Sequence, residues 1–331
     1  MTDTNVPGPV VARHPLAAPR GPLAASRERR QVASEVAIPV RRPYRLDLTV
    51  NALRRLATNL VDIFTADGRY LRAIDGAHGV MVLSVVQRTP DALTVTLDGD
   101  RRDRAAALAL VSRTLGVDRD LAHFDRAAAR VPWLRPLARR MRGVKPPRYP
   151  TLWEACVNAV AFQQVSLHAA SAIVARLITG LGSPVERRGA ALYPFPSPAR
   201  FQAADDGALR RAGLSVGKVA TLRRAAAALG SGALDEMALE RTPTPEAAGI
   251  LRELKGIGPW TAAVILLRGL GRLDVFPSND SGVARSLRLL VSPAPSAPEI
   301  DQVLAALGPQ RGMLYYHLLL ARLEARGNIT A

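Results

Sequence analysis

At 331 residues the chain is about twice the size of a typical domain, and its 48% hydrophobic and 22% charged residues mark a soluble globular polypeptide rather than a disordered or fibrous one. A net charge of +17 points to a polyanionic partner, nucleic acid first; because all but Lys145, Lys218 and Lys255 of the 45 basic residues are arginine, genomic base composition is the competing explanation. The single cysteine, Cys156, excludes an intramolecular disulfide, a zinc ribbon and a four-cysteine iron–sulfur cluster within this chain, and no apolar run approaches the roughly twenty residues of a membrane span.

Residues 1–42 carry Arg13, Arg20, Arg27, Arg29 and Arg30 among scattered prolines with no apolar period, which predicts a disordered basic tail and no export signal. A cytoplasmic, nucleoid-associated monomer is expected. A small α+β domain is predicted over 43–115. Tyr44, Leu46, Leu48 and Val50 alternate as in a strand, and Leu53, Leu56, Leu60 and Ile63 then take a helical period. Strand-like runs follow at Tyr70–Ile74, Val80–Gln87 and Ala92–Leu97, separated by Asp-Gly and Pro-Asp turn signals. Beyond Arg101 every periodic segment reads as helix, so an all-α domain is predicted over 116–331, with a basic connector near 138–150 where Pro146 and Pro147 cannot continue a helix. Helices are predicted over Leu152–Gly180, Ala208–Gly213, Val216–Leu229, Ala247–Leu254, Pro259–Leu270, Ser281–Val291 and Gln310–Ala325.

The segment Leu254-Lys255-Gly256-Ile257-Gly258-Pro259-Trp260-Thr261-Ala262 lies between two helical patterns. Glycine permits a left-handed backbone and close approach of another chain, Ile257 can plug into the core, and Pro259 suits the first turn of a helix. The free amides of such a turn face a phosphate oxygen at the positive end of the helix dipole. An ordinary helix-to-helix turn fits the bare pattern equally well. Downstream, Asp280 precedes the Ser281–Val291 helix, where it is either a simple N-cap or a carboxylate placed for chemistry.

Lys255 to Asp280, with Gly-Ile-Gly-Pro-Trp-Thr-Ala and Asp-Val-Phe-Pro-Ser-Asn-Asp, resembles the hairpin and aspartate loop of the helix-hairpin-helix DNA glycosylase superfamily, in particular its DNA-3-methyladenine glycosylase II branch. Asn158-Ala159-Val160-Ala161-Phe162-Gln163-Gln164-Val165-Ser166 is similar to that branch's segment with paired glutamines, and the likeness extends in outline from Tyr44 to the C-terminus.

The resemblance implies a monofunctional glycosylase that flips alkylated purines out of duplex DNA and hydrolyses the bond to deoxyribose. Asp280 is then the catalytic carboxylate, stabilising an oxocarbenium-like sugar and orienting water. Gly256, Ile257, Gly258 and Thr261 form the phosphate-binding hairpin. Trp260 stands where bifunctional relatives carry their Schiff-base lysine, so no lyase activity is expected; it lines the base pocket or packs in the core. Phe162 is the candidate wedge, Gln163 and Gln164 contact the orphaned base or the hairpin backbone, and Tyr315, Tyr316 and His317 on the last helix are within reach of the pocket, while Leu319 occupies the position of the family's stacking tryptophan. No side-chain metal site or chemical cofactor is expected; a monovalent cation at the hairpin backbone is compatible with the family. The competing readings are a non-catalytic damage-binding protein and a glycosylase for uracil, mismatched thymine or oxidised purines.

Overall fold

Five strands, β1 (Glu35–Pro39), β2 (Ile63–Phe64), β3 (Tyr70–Gly76), β4 (Gly79–Thr89) and β5 (Ala92–Asp98), make one antiparallel sheet ordered β1-β5-β4-β3-β2 in the computed structural model, which describes residues 1, 35–187 and 189–330. Two turns of the chain are read differently by the sequence and the structure here. The expected tail ends earlier, because Val36 pairs with Val95 and Ile38 with Leu93 at the sheet edge; residues 2–34 lie outside the described residues. The alternation from Tyr44 to Val50 belongs to a helix, α1 (Leu46–Arg54), not a strand. Leu46, Val50 and Leu53 face one core while Leu48, Ala52 and Leu56 face a second. A helix buried on two sides has no polar stripe, and its pattern then mimics period two.

The remaining helices are α2 (Arg104–Leu115), α3 (Ala122–Ala128), α4 (Leu134–Arg140), α5 (Leu152–Ala161), α6 (Leu167–Leu181), α7 (Pro198–Ala203), α8 (Asp206–Arg211), α9 (Val216–Ser231), α10 (Glu236–Arg241), α11 (Thr244–Glu253), α12 (Pro259–Arg268), α13 (Ser281–Leu290), α14 (Ala297–Leu307) and α15 (Met313–Ala325). The fold is therefore α+β, as expected, but the helical part contains a hairpin of β6 (Val185–Arg187) and β7 (Ala190–Leu192) that the periodicity missed. Leu192 packs on Leu71, Ala73 and Val82, so this hairpin covers one face of the sheet while Tyr70, Leu83, Val85 and Val95 pack on the helical core from the other. That sharing of one core puts the sheet and the helices in a single unit, Ala33–Ala331.

Two further corrections bear on the site. The helix predicted from Leu152 to Gly180 breaks at Phe162–Ser166, where Gln164 takes φ 56° and Ser166 Oγ caps α6 by accepting from Ala169 N–H at 3.2 Å. The paired glutamines thus sit on a turn, not a helix. The basic connector is a packed strip from Val144 to Pro150. Lys145 Nζ donates to Arg119 O at 2.8 Å and Arg148 pairs with Glu236 and Glu240, so its charges are absorbed internally. Beneath the sheet, Arg72 bridges Asp62 and Glu154, with Tyr70 donating to Asp62 at 2.8 Å, which ties β3 to α5.

Candidate active site and nucleic-acid interface

The hairpin between α11 and α12 is held from behind. Ile257 is buried and its N–H donates to Leu254 O at 2.9 Å, which closes the turn. Gly256 has φ 102° and lies against Thr221, so both its backbone and the space around it demand glycine. Gly258 is extended, and a Cβ there would meet nothing. Its lack of a side chain leaves the surface open instead of relieving a clash. Gln163 Nε2 donates to Gly256 O at 3.0 Å and to the buried Thr261 Oγ1 at 2.8 Å, locking the hairpin to the α5–α6 turn. Lys218 Nζ donates to Ala161 O and Gln163 O at 3.0 and 2.8 Å and so caps the end of α5. At the start of α12, Gly258, Trp260 and Thr261 line an adjoining surface groove.

Asp280 is the N-cap of α13 and also faces a cleft. Its Oδ1 accepts from Gly282 N–H at 2.7 Å and Val283 N–H at 2.9 Å, and its Oδ2 accepts from Trp260 Nε1–H at 2.9 Å. The cleft of about 90 Å³ is walled by Phe162, Trp260, Tyr315 and Leu319 and carries Arg55, Arg285, Arg322 and Arg326. It shares Phe162, Val165, Trp260, Asp280 and Ser281 with a wider groove of about 660 Å³ lined by Gln163, Gln164, Gly256 and Gly258. Asp280 therefore stands at the mouth of a small chamber opening from a broad groove. The N-caps of α6, α9, α12 and α13, respectively Ser166, Ser215, Gly258 and Asp280, all line these two spaces. Four positive dipole ends and a rim of guanidinium groups make the surface attractive to a polyanion.

The residues singled out in the sequence converge here. Trp260 is half-buried and serves the aspartate; Tyr315, 9% exposed, forms the chamber floor with an edge-on contact to Tyr316 at 5.7 Å. Phe162 is a half-buried wall, its ring beneath Arg55, whereas Gln164, Val165 and Ser166 are the exposed residues of the turn. Gln163 is committed to the hairpin. Tyr316 is fully buried and donates to Pro147 O at 3.0 Å, and His317 is buried against Phe124, with burial pushing its imidazole down to about 4, so neither reaches the chamber. Asp274 is exposed on a different cavity, with Val275 and Phe276. Arg55, Arg322 and Lys218 were not anticipated. Arg55 and Arg322 enter from α1 and α15, far from any motif, and no local pattern signals them.

Residues 157–310 match the family model described as HhH-GPD superfamily base excision DNA repair protein. This helical region is similar to the HhH-GPD superfamily. The chain is 33% identical over 259 residues, 78% of its length and 51% of the relative's, to a Mycobacterium tuberculosis protein named "Probable bifunctional transcriptional activator/DNA repair enzyme AlkA". It thus spans about half the length of that relative. In structure it resembles the 3-methyladenine DNA-glycosylase from Archaeoglobus fulgidus, with a TM-score of 0.74 at 24% identity over 87% of this chain and 99% of that one, which extends the shared fold to the sheet. The Schizosaccharomyces pombe 3-methyladenine DNA glycosylase, solved in complex with abasic DNA, superposes with a TM-score of 0.50 at 26% identity over 64% of this chain and 100% of that one. Among the described residues no helix is long and apolar enough to cross a membrane.

Proposed function

We propose that this chain is a monofunctional DNA glycosylase that extrudes alkylated purines from duplex DNA and hydrolyses their N-glycosidic bond, leaving an abasic site. The observation that carries the reading is the placement of Asp280: a carboxylate oriented by three N–H donors at the mouth of an aromatic chamber, beside a groove built from the hairpin and four helix N-termini. Phosphates bind along the groove at the hairpin amides, which carry no base information. The damaged nucleotide rotates into the chamber, an unstacking that costs a few kcal/mol and least for a weakly paired base.

Asp280 then faces the sugar. As the C1′–N bond lengthens, positive charge grows on the ring, and a fixed carboxylate stabilises it without reorganising at the moment of reaction. Water attacks C1′ as the base departs. A base already carrying a methyl-induced positive charge leaves as a neutral molecule and needs no acid. The position that would place an amine against C1′ holds Trp260, whose indole nitrogen is committed to Asp280, so the reaction stops at the abasic site.

Base release from methylated duplex, wild type beside Asp280→Asn, tests this. Methylpurine release by the wild type alone, with strand breaks only after alkali, is the expected result. Equal release by the variant removes Asp280 from its role, breaks before alkali refute the monofunctional chemistry, and DNA binding with no release of any base makes the chain a damage-binding protein.

A further inference from the structure

Helices α3 and α4 cover the side of α15 that is turned away from the chamber. Tyr315, Leu319, Arg322 and Arg326 form one stripe of α15 and line the chamber, whereas His317 and Glu324 lie about half a turn round the helix. His317 packs on Phe124 of α3 with ring centroids 4.5 Å apart, and Glu324 pairs with Arg140 of α4 at 2.9 Å. The buried side of α4 is Leu134, Leu137 and Ala138. Outward stand Arg126 and Arg130, on α3 and the turn after it, and Arg135 and Arg139 on α4, all four exposed. Among the described residues none of the four has a hydrogen-bond or ion-pair partner. For the fold alone the arrangement is unfavourable. Each pair is four residues apart, so like charges repel along one helical stripe, and Arg135 sits in the first turn of α4, where the dipole disfavours a cation. Arginines on the sheet, by contrast, are matched: Arg69 with Asp67, Arg88 with Glu35 and Arg102 with Asp100. Between residues 122 and 142 six arginines face a single carboxylate, Asp125.

We infer that the α3–α4 face is a second DNA-binding surface, which holds the phosphates of a separate duplex while the groove beside Asp280 holds the first. A phosphate backbone supplies the negative charge that this face lacks, and guanidinium forks match its paired oxygens. The face has no chamber and no glycine hairpin, so it grips backbone and reads no bases. Because α15 separates it from the chamber, one short straight duplex does not reach both surfaces. The chain can then take hold of a neighbouring DNA segment before it lets go of the first. Such a hand-over shortens the search for a rare lesion. The inference goes beyond the glycosylase reading and holds whether or not Asp280 cleaves.

The test is the stoichiometry of the full chain with an undamaged duplex of about 12 base pairs, some 40 Å long, followed by sedimentation at low salt. The wild type should bind two duplexes per chain. The variant carrying Arg126→Gln, Arg130→Gln, Arg135→Gln and Arg139→Gln should bind one, with unchanged affinity for it and an unchanged rate of base release from methylated duplex. If each arginine neutralises one phosphate, the affinity of the second step should fall about a hundredfold between roughly 50 and 200 mM salt. The double variant Arg135→Gln, Arg139→Gln should lower the slope of that step by about two, and it keeps the test open if the fourfold variant is unstable. A wild type that saturates at one duplex overturns the inference and leaves the face to an acidic protein or to solvent. Two duplexes on a folded fourfold variant place the second site elsewhere, and loss of the first duplex in that variant makes these arginines part of the groove; either result also overturns it.

Discussion

Gly256→Ala is the sharpest perturbation of the hairpin, and its cost can be worked from two separate sources. At φ 102° an L side chain is strained, which costs on the order of 1–3 kcal/mol. A Cβ built there also falls on Thr221 Oγ1 and within 2.9 Å of Thr221 Cβ and Cγ2. Thr221 cannot turn away freely, since it is buried and its Oγ1 donates to Gly217 O at 2.9 Å, with Lys255 O also within 3.3 Å. Forcing that clash adds roughly 1–3 kcal/mol of overpacking. The sum, about 2–6 kcal/mol, should lower the melting temperature by on the order of 5–20 °C in a chain of this size. Urea unfolding of Gly256→Ala, Thr221→Ala and the double variant separates the two sources. Thr221→Ala removes the hydroxyl and methyl but not the strained φ, so the double variant should recover about 1–2 kcal/mol relative to additivity. A cost of Gly256→Ala below about 1 kcal/mol, or strict additivity, would refute the account of why glycine stands there.

Gln163→Leu should weaken binding to undamaged duplex of any sequence, because it frees the hairpin from the α5–α6 turn and leaves Gly256 O and Thr261 Oγ1 short of a donor; fluorescence anisotropy at fixed salt checks it, and unchanged affinity would show that the hairpin holds its shape alone. Two buried groups should tilt stability against pH in opposite senses. Burial pushes Glu154 from 4.5 up to about 7 against the pull of Arg72, so its contribution is complete below pH 4.5 and is lost as pH rises through about 7. Burial pushes His317 from 6.5 down to about 4, so its contribution is complete above pH 6.5 and is lost as pH falls through about 4. Glu154→Gln removes the first effect, and its melting temperature should then fall steadily on acidification between pH 6.5 and 4; a flat profile would refute the assignment to His317.

Legibility in the sequence followed the sequence distance over which each feature is decided. The hairpin, its glycines, Pro259 and the cap at Asp280 are local, and each is readable from its near neighbours within the stretch Lys255 to Asp280. Strands β3 to β5 were readable because their turns are marked by Gly, Asp and Pro. Helix α1 misled because two cores bury it, and β6–β7 escaped because three-residue strands carry too little period to detect. The break at Phe162–Ser166 was hidden in an apolar run, although Ser166 is the kind of residue that starts a helix. The arginines of the chamber had no chance of detection: Arg55 and Asp280 are brought together by the packing of both α1 and α13 against α15, a long-range event that no window of sequence contains.

The two sequence readings of Asp280 turn out not to compete. A carboxylate used only as a cap needs one oxygen, and Oδ1 does that work by accepting from both Gly282 and Val283. The cap fixes the plane of the group and leaves Oδ2 pointing the other way, where Trp260 Nε1 meets it. Capping is therefore the device that aims the second oxygen at the chamber. The same economy appears at Gln163, which anchors the hairpin through its side-chain amide nitrogen while its main-chain carbonyl accepts from Lys218 Nζ. It follows that Asp280→Asn is the informative substitution and Asp280→Ala is not. The amide keeps an oxygen for the cap while losing the charge, whereas alanine would disturb α13 by about 1 kcal/mol and confound the loss of chemistry with a shifted helix.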